Sequence, residues 1–415
     1  MRLPALTSTL VLILGCATER ASTPPAAPPA PATATALPRP AVKVNEVALA
    51  LADAGIALDA DDPATCAPCH TAVVAEWQES LHSRSHHAKD PLYAAMRTLR
   101  TTKQGPQIPG KCAVCHNPRD GQDHDSKAAQ SGVSCATCHQ LDGVHLGDER
   151  KGTGALVKGP VNVFRGPHDI PDGTSPLHGN GPALPALVDG KSLCLACHAE
   201  EKNPAGLATC STGVEHASIQ DNRACAECHM PVVETPSGPV SSRPTHRSHR
   251  FLGPHQAQRL GEVGLLAEAV KLSGRFDGAK LVARLENTSG HSFPTGFPAR
   301  MAVLDLRAFD AKGKELYRNV TTEPMKEHPD AVLNRAYVDA EGKPALAPFA
   351  TREVRDSRLK PGEVREVVVE VPAKAVKAEL ALRFFLAAPP MLKAIEYSGP
   401  EAKPVALPPV VVTRP

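Results

Sequence analysis

The chain is poor in aromatic residues. One Trp, four Tyr and nine Phe make up 3% of its 415 residues. That length has room for two or three domains, yet so few rings leave little side-chain bulk for a large core. Charge of one sign is also missing. Net charge is +2 and there is no long basic run, so neither nucleic-acid binding nor an acidic substrate is indicated. Long apolar runs are absent as well. The best, Leu10-Val-Leu-Ile-Leu14, is too short to span a bilayer, and no integral membrane domain is expected. Long helical patterns are few, and 41 prolines interrupt the chain.

What the chain does have is cysteine in a fixed setting. Ten of its twelve cysteines lie in five copies of Cys-x-x-Cys-His. The copies are Cys66-Ala-Pro-Cys69-His70, Cys112-Ala-Val-Cys115-His116, Cys135-Ala-Thr-Cys138-His139, Cys194-Leu-Ala-Cys197-His198 and Cys225-Ala-Glu-Cys228-His229. This is the attachment signature of c-type haem. Two thiols three positions apart reach the two vinyl groups of one porphyrin. The adjacent histidine then lies under the ring and gives its nitrogen to iron. Zinc sites and redox dithiols also use Cys-x-x-Cys, but neither requires a histidine directly after the second cysteine. Five covalent haems c are therefore expected, and they supply the missing apolar bulk. The haems consume the thiols, so no structural disulfide is expected. Cys210 reads as a buried, inert thiol.

Haem attachment of this kind takes place outside the cytoplasm. Residues 1–15 fit, reading as a secretion signal with Arg2 before the apolar run. Ile13-Leu14-Gly15-Cys16 resembles a lipobox, which makes Cys16 the lipid-bearing mature N-terminus. Residues 16–60 form a Pro/Ala-rich tether that cannot bury a core, with weak helical periodicity only from Val44 to Leu58. The expected location is the periplasm or the outer membrane, with membrane contact through the lipid anchor alone.

Residues 61–258 are the expected haem module, mostly irregular with short helices, for example Val73–Leu81 and Pro91–Leu99. Thirteen histidines lie outside the motifs and eleven of them precede residue 260. Neutral imidazole is the natural sixth ligand of haem iron. Five irons need at most five, so the supply exceeds the demand. Arg243, His246, Arg247, His249 and Arg250 form a basic stretch suited to haem propionates.

Trp77-Gln-Glu-Ser80-Leu-His82 follows the first motif, and His249-Arg-Phe251-Leu-Gly253-Pro-His255 follows the last. These pieces resemble the multihaem cytochromes c of the cytochrome c-554 type. The resemblance covers about residues 63–256. It implies His82 and His249 as distal iron ligands, with His145, His168 and His255 as further candidates. The family's namesake carries four haems and this chain five motifs, so the haem pairing does not transfer.

Residues 259–415 change character. Val367, Val369 and Val371 alternate with Glu366, Val368 and Glu370. Leu380, Leu382, Phe384 and Leu386 alternate with Ala381, Arg383 and Phe385, and Leu304, Leu306 and Ala308 with Asp305 and Arg307. Asp277-Gly278, Lys312-Gly313 and Pro361-Gly362 mark turns. About seven short strands are expected, arranged as an all-β antiparallel sandwich. Related multihaem cytochromes carry a segment like Gly290-His291-Ser-Phe293-Pro294-Thr295-Gly296. It is either a structural loop or a contact that brings His291 near or onto an iron.

The five motifs span 164 residues, about 33 per haem, too little protein to insulate each porphyrin. The expected function is electron transfer through close-packed haems, with redox proteins as partners. Two alternatives stand beside it. One is an oxidoreductase with an open haem, acting on a small nitrogen or sulfur compound, although no Cys-x-x-Cys-Lys occurs. The other is a docking component of a larger electron conduit.

Overall fold

The computed structural model describes residues 46–415, apart from 123, 148–149 and 220–222. The secretion signal, Cys16 and most of the tether lie outside the described residues. Glu46–Asp53 is a short helix.

Two helices follow the first motif, each bounded by local chemistry. Thr71–Glu79 ends earlier than expected because the Ser80 hydroxyl donates to the Trp77 carbonyl at 2.6 Å and turns the chain. Pro91–Gln104 starts where Asp90 accepts from the Tyr93 N–H at 3.0 Å, with Pro91 in the first turn. It runs past Leu99 because nothing breaks it before Gly105, whose φ is 100°. The last four motifs each close a short helix: Ile108–His116, Cys135–His139, Ser192–His198 and Cys225–His229. Pairs of two- to four-residue strands link them, such as Leu141–Val144 with Leu156–Lys158.

After two short helices, Pro254–Leu260 and Gly264–Glu268, antiparallel strands take over from Val270. The longer ones are β1 (Val270–Asp277), β2 (Lys280–Asn287), β3 (Met301–Phe309), β4 (Arg352–Asp356), β5 (Val364–Glu370) and β6 (Lys377–Phe385). One sheet has the order β5-β2-β1. A second centres on β3 and β6, paired along their whole length from Met301↔Phe385 to Phe309↔Lys377. Their inner faces meet in one core. Leu281, Ala283 and Leu285 of β2 pack there with Val367 and Val369 of β5 and Leu380, Leu382 and Phe384 of β6. Each fully buried Leu contributes about 1.5–3 kcal/mol relative to exposure. Leu92, Met96, Ala257 and Leu266 enter the same core, so the motif region and the sheets share it.

This region has twelve strands, more than the seven expected. Three are two residues long, too short to leave a period in the sequence. The alternation along β3 is also incomplete. Met301 and Val303 bury the other face against Val320 and Val332. Asp305 is buried there too, with Arg383 at 3.4 Å.

Candidate haem site

The motif histidines are held by the backbone of distant segments. His116 Nδ1 donates to the Ser85 carbonyl at 2.9 Å, His139 Nδ1 to Arg165 at 2.7 Å and His229 Nδ1 to Leu252 at 2.6 Å. Carbonyls only accept, so the hydrogen is on Nδ1 and the lone pair on Nε2. Three histidines outside the motifs repeat the arrangement. His178 Nδ1 donates to Gly179, His249 to Arg247 and His291 to Ser292, at 3.1, 2.8 and 3.1 Å. Burial favours the neutral form of many of the cavity's histidines. It lowers His70, His198, His249 and His291 to about 4 and His82 and His255 to about 3, and it lowers His116 and His139 as well. Neutral imidazole with a fixed lone pair is the form that binds a metal.

Three pairs of rings face each other at one spacing. His82 and His198 have centroids 6.4 Å apart, His139 and His249 6.2 Å, and His229 and His291 6.3 Å. Imidazole nitrogen binds a metal at about 2 Å and the ring centre lies roughly 1 Å further out, so two rings across one iron are about 6 Å apart. Each pair joins a motif histidine to one from elsewhere in the chain.

Local structure explains how the partners arrive. Trp77 Nε1 donates to the Val133 carbonyl at 2.8 Å, and the Val133 N–H donates to the His82 carbonyl at 3.0 Å. Gly132, at φ +64°, passes so close to that carbonyl that a side chain would collide with it. The segment His249–Leu252 serves three motifs. His249 N–H donates to Glu76 at 2.8 Å and its ring faces His139. Phe251, with the strained φ of 49°, packs 4.2 Å from His82, and Leu252 holds His229. His291 comes from the loop between β2 and β3. Asn287 donates to the His291 carbonyl at 2.8 Å, and Glu215 accepts from Ser292 N–H and Thr295 hydroxyl at 3.2 and 2.6 Å.

The motifs are also neighbours of one another. The thiols of Cys66 and Cys135, of Cys115 and Cys197, and of Cys194 and Cys225 lie next to one another. Cys194 and Cys138 are close enough to feel each other's charge. The first motif thus adjoins the third, and the fourth adjoins the second, third and fifth.

The other motif histidines differ. His70 has His178 as its most strongly influencing imidazole, without ring contact. The ring against His116 is Tyr93, stacked at 3.8 Å and 14°. Among the sequence-selected residues, His82 and His249 stand opposite motif histidines. His255 is half-buried in the cavity near Arg300, Arg259 and Arg84. His145 and His168 are exposed, with no ring against either among the described residues. Sequence reasoning did not select His178 or Arg300. Arg300 is a half-buried guanidinium lining the cavity that donates to the Thr295 carbonyl at 2.9 Å. The only hint of Arg300 is its place just after the Pro-Thr-Gly segment.

A connected cavity of about 2520 Å³ runs past all ten motif cysteines, past Arg300 and past each histidine of the three facing pairs. Single small-molecule sites occupy about 300–1,000 Å³. Thiol pairs, neutral imidazoles at iron-spanning distance and an apolar cavity of this size fit several covalently held haems.

The family described as cytochrome c554 and c-prime matches residues 65–140, which hold the first three motifs. Among solved structures, the chain is similar to a penta-heme cytochrome c552 from Thermochromatium tepidum. The two share 25% identity with a TM-score of 0.70, over 84% of this chain and 97% of that one. No curated protein matches. The protein is a multihaem c-type cytochrome. Haem binding and electron transfer follow from that class.

Proposed function

We propose that this protein is an exported electron carrier that holds five haems c in a branched series. The observation that supports it best is the set of three histidine pairs at 6.2–6.4 Å, each built on a different motif. Bound haem supplies one-electron iron chemistry. The chain supplies the rest. Each pair of motif cysteines fixes one ring, and each motif histidine is the proximal ligand. His82, His249 and His291 are distal ligands, and His178 is the candidate opposite His70. His255 and the more exposed His168 both line the cavity and stay candidate ligands, whereas His145, outside it, suits the surface. Adjacent motifs keep the cofactors in series from the first through the third and fourth to the fifth, with the second as a branch at the fourth. Imidazole on both faces fills an iron's coordination and favours electron transfer over substrate binding.

The reading includes a signal at 1–15, a tether at 16–60 lipidated at Cys16, a haem module at 61–258 and a β-sandwich at 259–415. Redox proteins of the periplasm or outer membrane are the partners. Pyridine haemochrome assay tests the count, and five haems per chain are expected. Cys16→Ser tests the anchor and is expected to release the protein from the membrane fraction. The carrier function itself is tested by stopped-flow reduction with a small donor, followed by mixing with an oxidised c-type cytochrome. Complete reoxidation within milliseconds to seconds is expected, and a protein that holds its electrons for minutes is no carrier.

A second reading, an oxidoreductase with one open iron, is favoured by His116. No imidazole stands opposite it among the described residues, and its ring neighbour is Tyr93. Steady turnover of nitrite or hydroxylamine with an artificial donor would establish that reading.

A further inference from the structure

Two histidines that no haem motif uses lie between His82 and the helix Pro91–Gln104. His86 and His87 are adjacent in sequence, with ring centroids 4.1 Å apart and planes at 43°. Asp125 reaches them from another segment, the turn after the second motif. We propose that His86, His87 and Asp125 bind one divalent transition-metal ion, separate from the haems.

The ligand atoms of the three residues lie within 4.8 Å of one another. His87 Nε2 is 3.7 Å from Asp125 Oδ1, and His86 Nε2 is 4.0 Å from it. The His124 carbonyl oxygen is 3.2 Å from His86 Nε2. A tetrahedral ion with bonds of about 2.0–2.1 Å spaces its donors roughly 3.4 Å apart. The two His–Asp distances need to shorten by about 0.3–0.6 Å to reach that spacing, and the two imidazoles, whose donor atoms lie within 4.8 Å of each other, can close on the ion by side-chain rotation.

Burial is graded in a useful way. His86 is 1% exposed, the His87 side chain 22% and the Asp125 side chain 77%. A buried inner ligand and an exposed outer carboxylate leave the site open to an ion from solvent. The turn carrying Asp125 is braced independently. His124 Nδ1 lies 3.0 Å from Asp120, and Ser126 donates to the same carboxylate at 2.5 Å. Binding at Nε2 requires the other tautomer of His86: Nε2 gives up its hydrogen and its bond to the His124 carbonyl, Nδ1 gains a hydrogen, and the Ala88 N–H loses its acceptor, a cost that the metal bond must exceed.

The donor set selects the ion class. Two imidazoles and one carboxylate, with no thiolate, suit Zn²⁺, Ni²⁺ or Cu²⁺ better than Ca²⁺ or Mg²⁺. Three protein ligands leave a position for water. None of the three residues lines the haem cavity.

The test is calorimetric titration of the haem-loaded protein with ZnCl₂ after chelator treatment. One saturable site per chain is expected. Asp125→Asn and His87→Ala are each expected to weaken it by about tenfold or more, since even outer-sphere changes at metal sites cost 10–100-fold. His328→Ala, in the β region, is expected to leave it unchanged. The haem absorption spectrum confirms that each variant is folded, and Asp125→Asn is a surface change of equal size. No saturable binding, or equal affinity in both site variants and the parent, overturns the proposal.

Discussion

The ring of His291 faces that of His229 at 6.3 Å, with their planes 23° apart. One belongs to the last Cys-x-x-Cys-His motif, the other to a loop of the β region 62 positions further on. The β region therefore reaches into the motif region. His291→Ala is expected to convert one ferric haem from low-spin to high-spin, because loss of a nitrogen ligand weakens the field at iron. EPR of the oxidised protein reads this directly. An unchanged low-spin signal would leave His291 a loop residue and move the ligand elsewhere.

The same loop is held by a charged contact. Glu215, in the helix Thr212–Ala217, lies 2.6 Å from Arg358, which also pairs with Asp356 at 2.9 Å. Burial alone would raise the Glu215 carboxyl. Arg358 beside it, with hydrogen bonds from Ser211 and Thr295, more than offsets that and holds it below the usual range. A depressed carboxyl stabilises the fold fully above its unfolded pKa, near 4.5, and the contribution is lost as pH falls through the lower folded value. Glu215→Gln is expected to cost about 1–3 kcal/mol at neutral pH, by leaving buried donors poorly paired. It should also flatten the acid limb of a plot of Tm against pH. A parallel loss at every pH would show that charge at Glu215 is not the source.

The sheet core gives a third expectation. Leu382 is 1% exposed at the centre of β6, paired with Leu304 of β3. Leu382→Ala is expected to destabilise by about 2–5 kcal/mol through lost burial and a residual cavity. Calorimetry should report a lower Tm. The haem-region helix Pro91–Gln104 enters this core through Leu92 and Met96, so one cooperative transition is expected to move rather than a separate β transition alone. A split endotherm with an unmoved haem-linked peak would contradict the shared core.

How much of this was legible in the sequence differs from residue to residue. Haem attachment needs five contiguous residues, so the motifs stand out in a linear reading. The long strands were legible because one buried face imposes period two, as at Val367 and Val369 with exposed Val368 between them. Val332–Leu333 could not be found, since two residues carry no period. Asp305 reads as a solvent position but is buried, because a second small cluster covers that face. The rings facing the motifs are a tertiary property. His82 and His249 carried recognisable neighbours such as Trp77 and Phe251. His178 carried none, and the histidines outnumber the irons. Nothing local separates His178 from His168. The distinction is that His178 Nδ1 donates to the Gly179 carbonyl and its ring packs 5.2 Å from Phe164.

The last expectation concerns the second motif. His116 is half-buried, its Nδ1 is bound to Ser85, and Tyr93 stacks on its ring. That stack lies along the imidazole face, so it orients the ring without supplying a ligand across an iron. An iron with one imidazole keeps a free coordination position, and a small neutral ligand can take it without displacing anything. Carbon monoxide added to the dithionite-reduced protein is therefore expected to bind rapidly at about one haem per chain, while irons with two imidazoles resist it. Tyr93→Ala is expected to leave the haem count intact and alter the spectrum of that carbonyl adduct, because the proximal ring loses its support. The adduct should persist in His291→Ala, which adds a second open iron instead of replacing the first. If the native protein binds no carbon monoxide, a sixth ligand reaches the second iron in the loaded protein, and His255, which lines the same cavity, is the residue to change next.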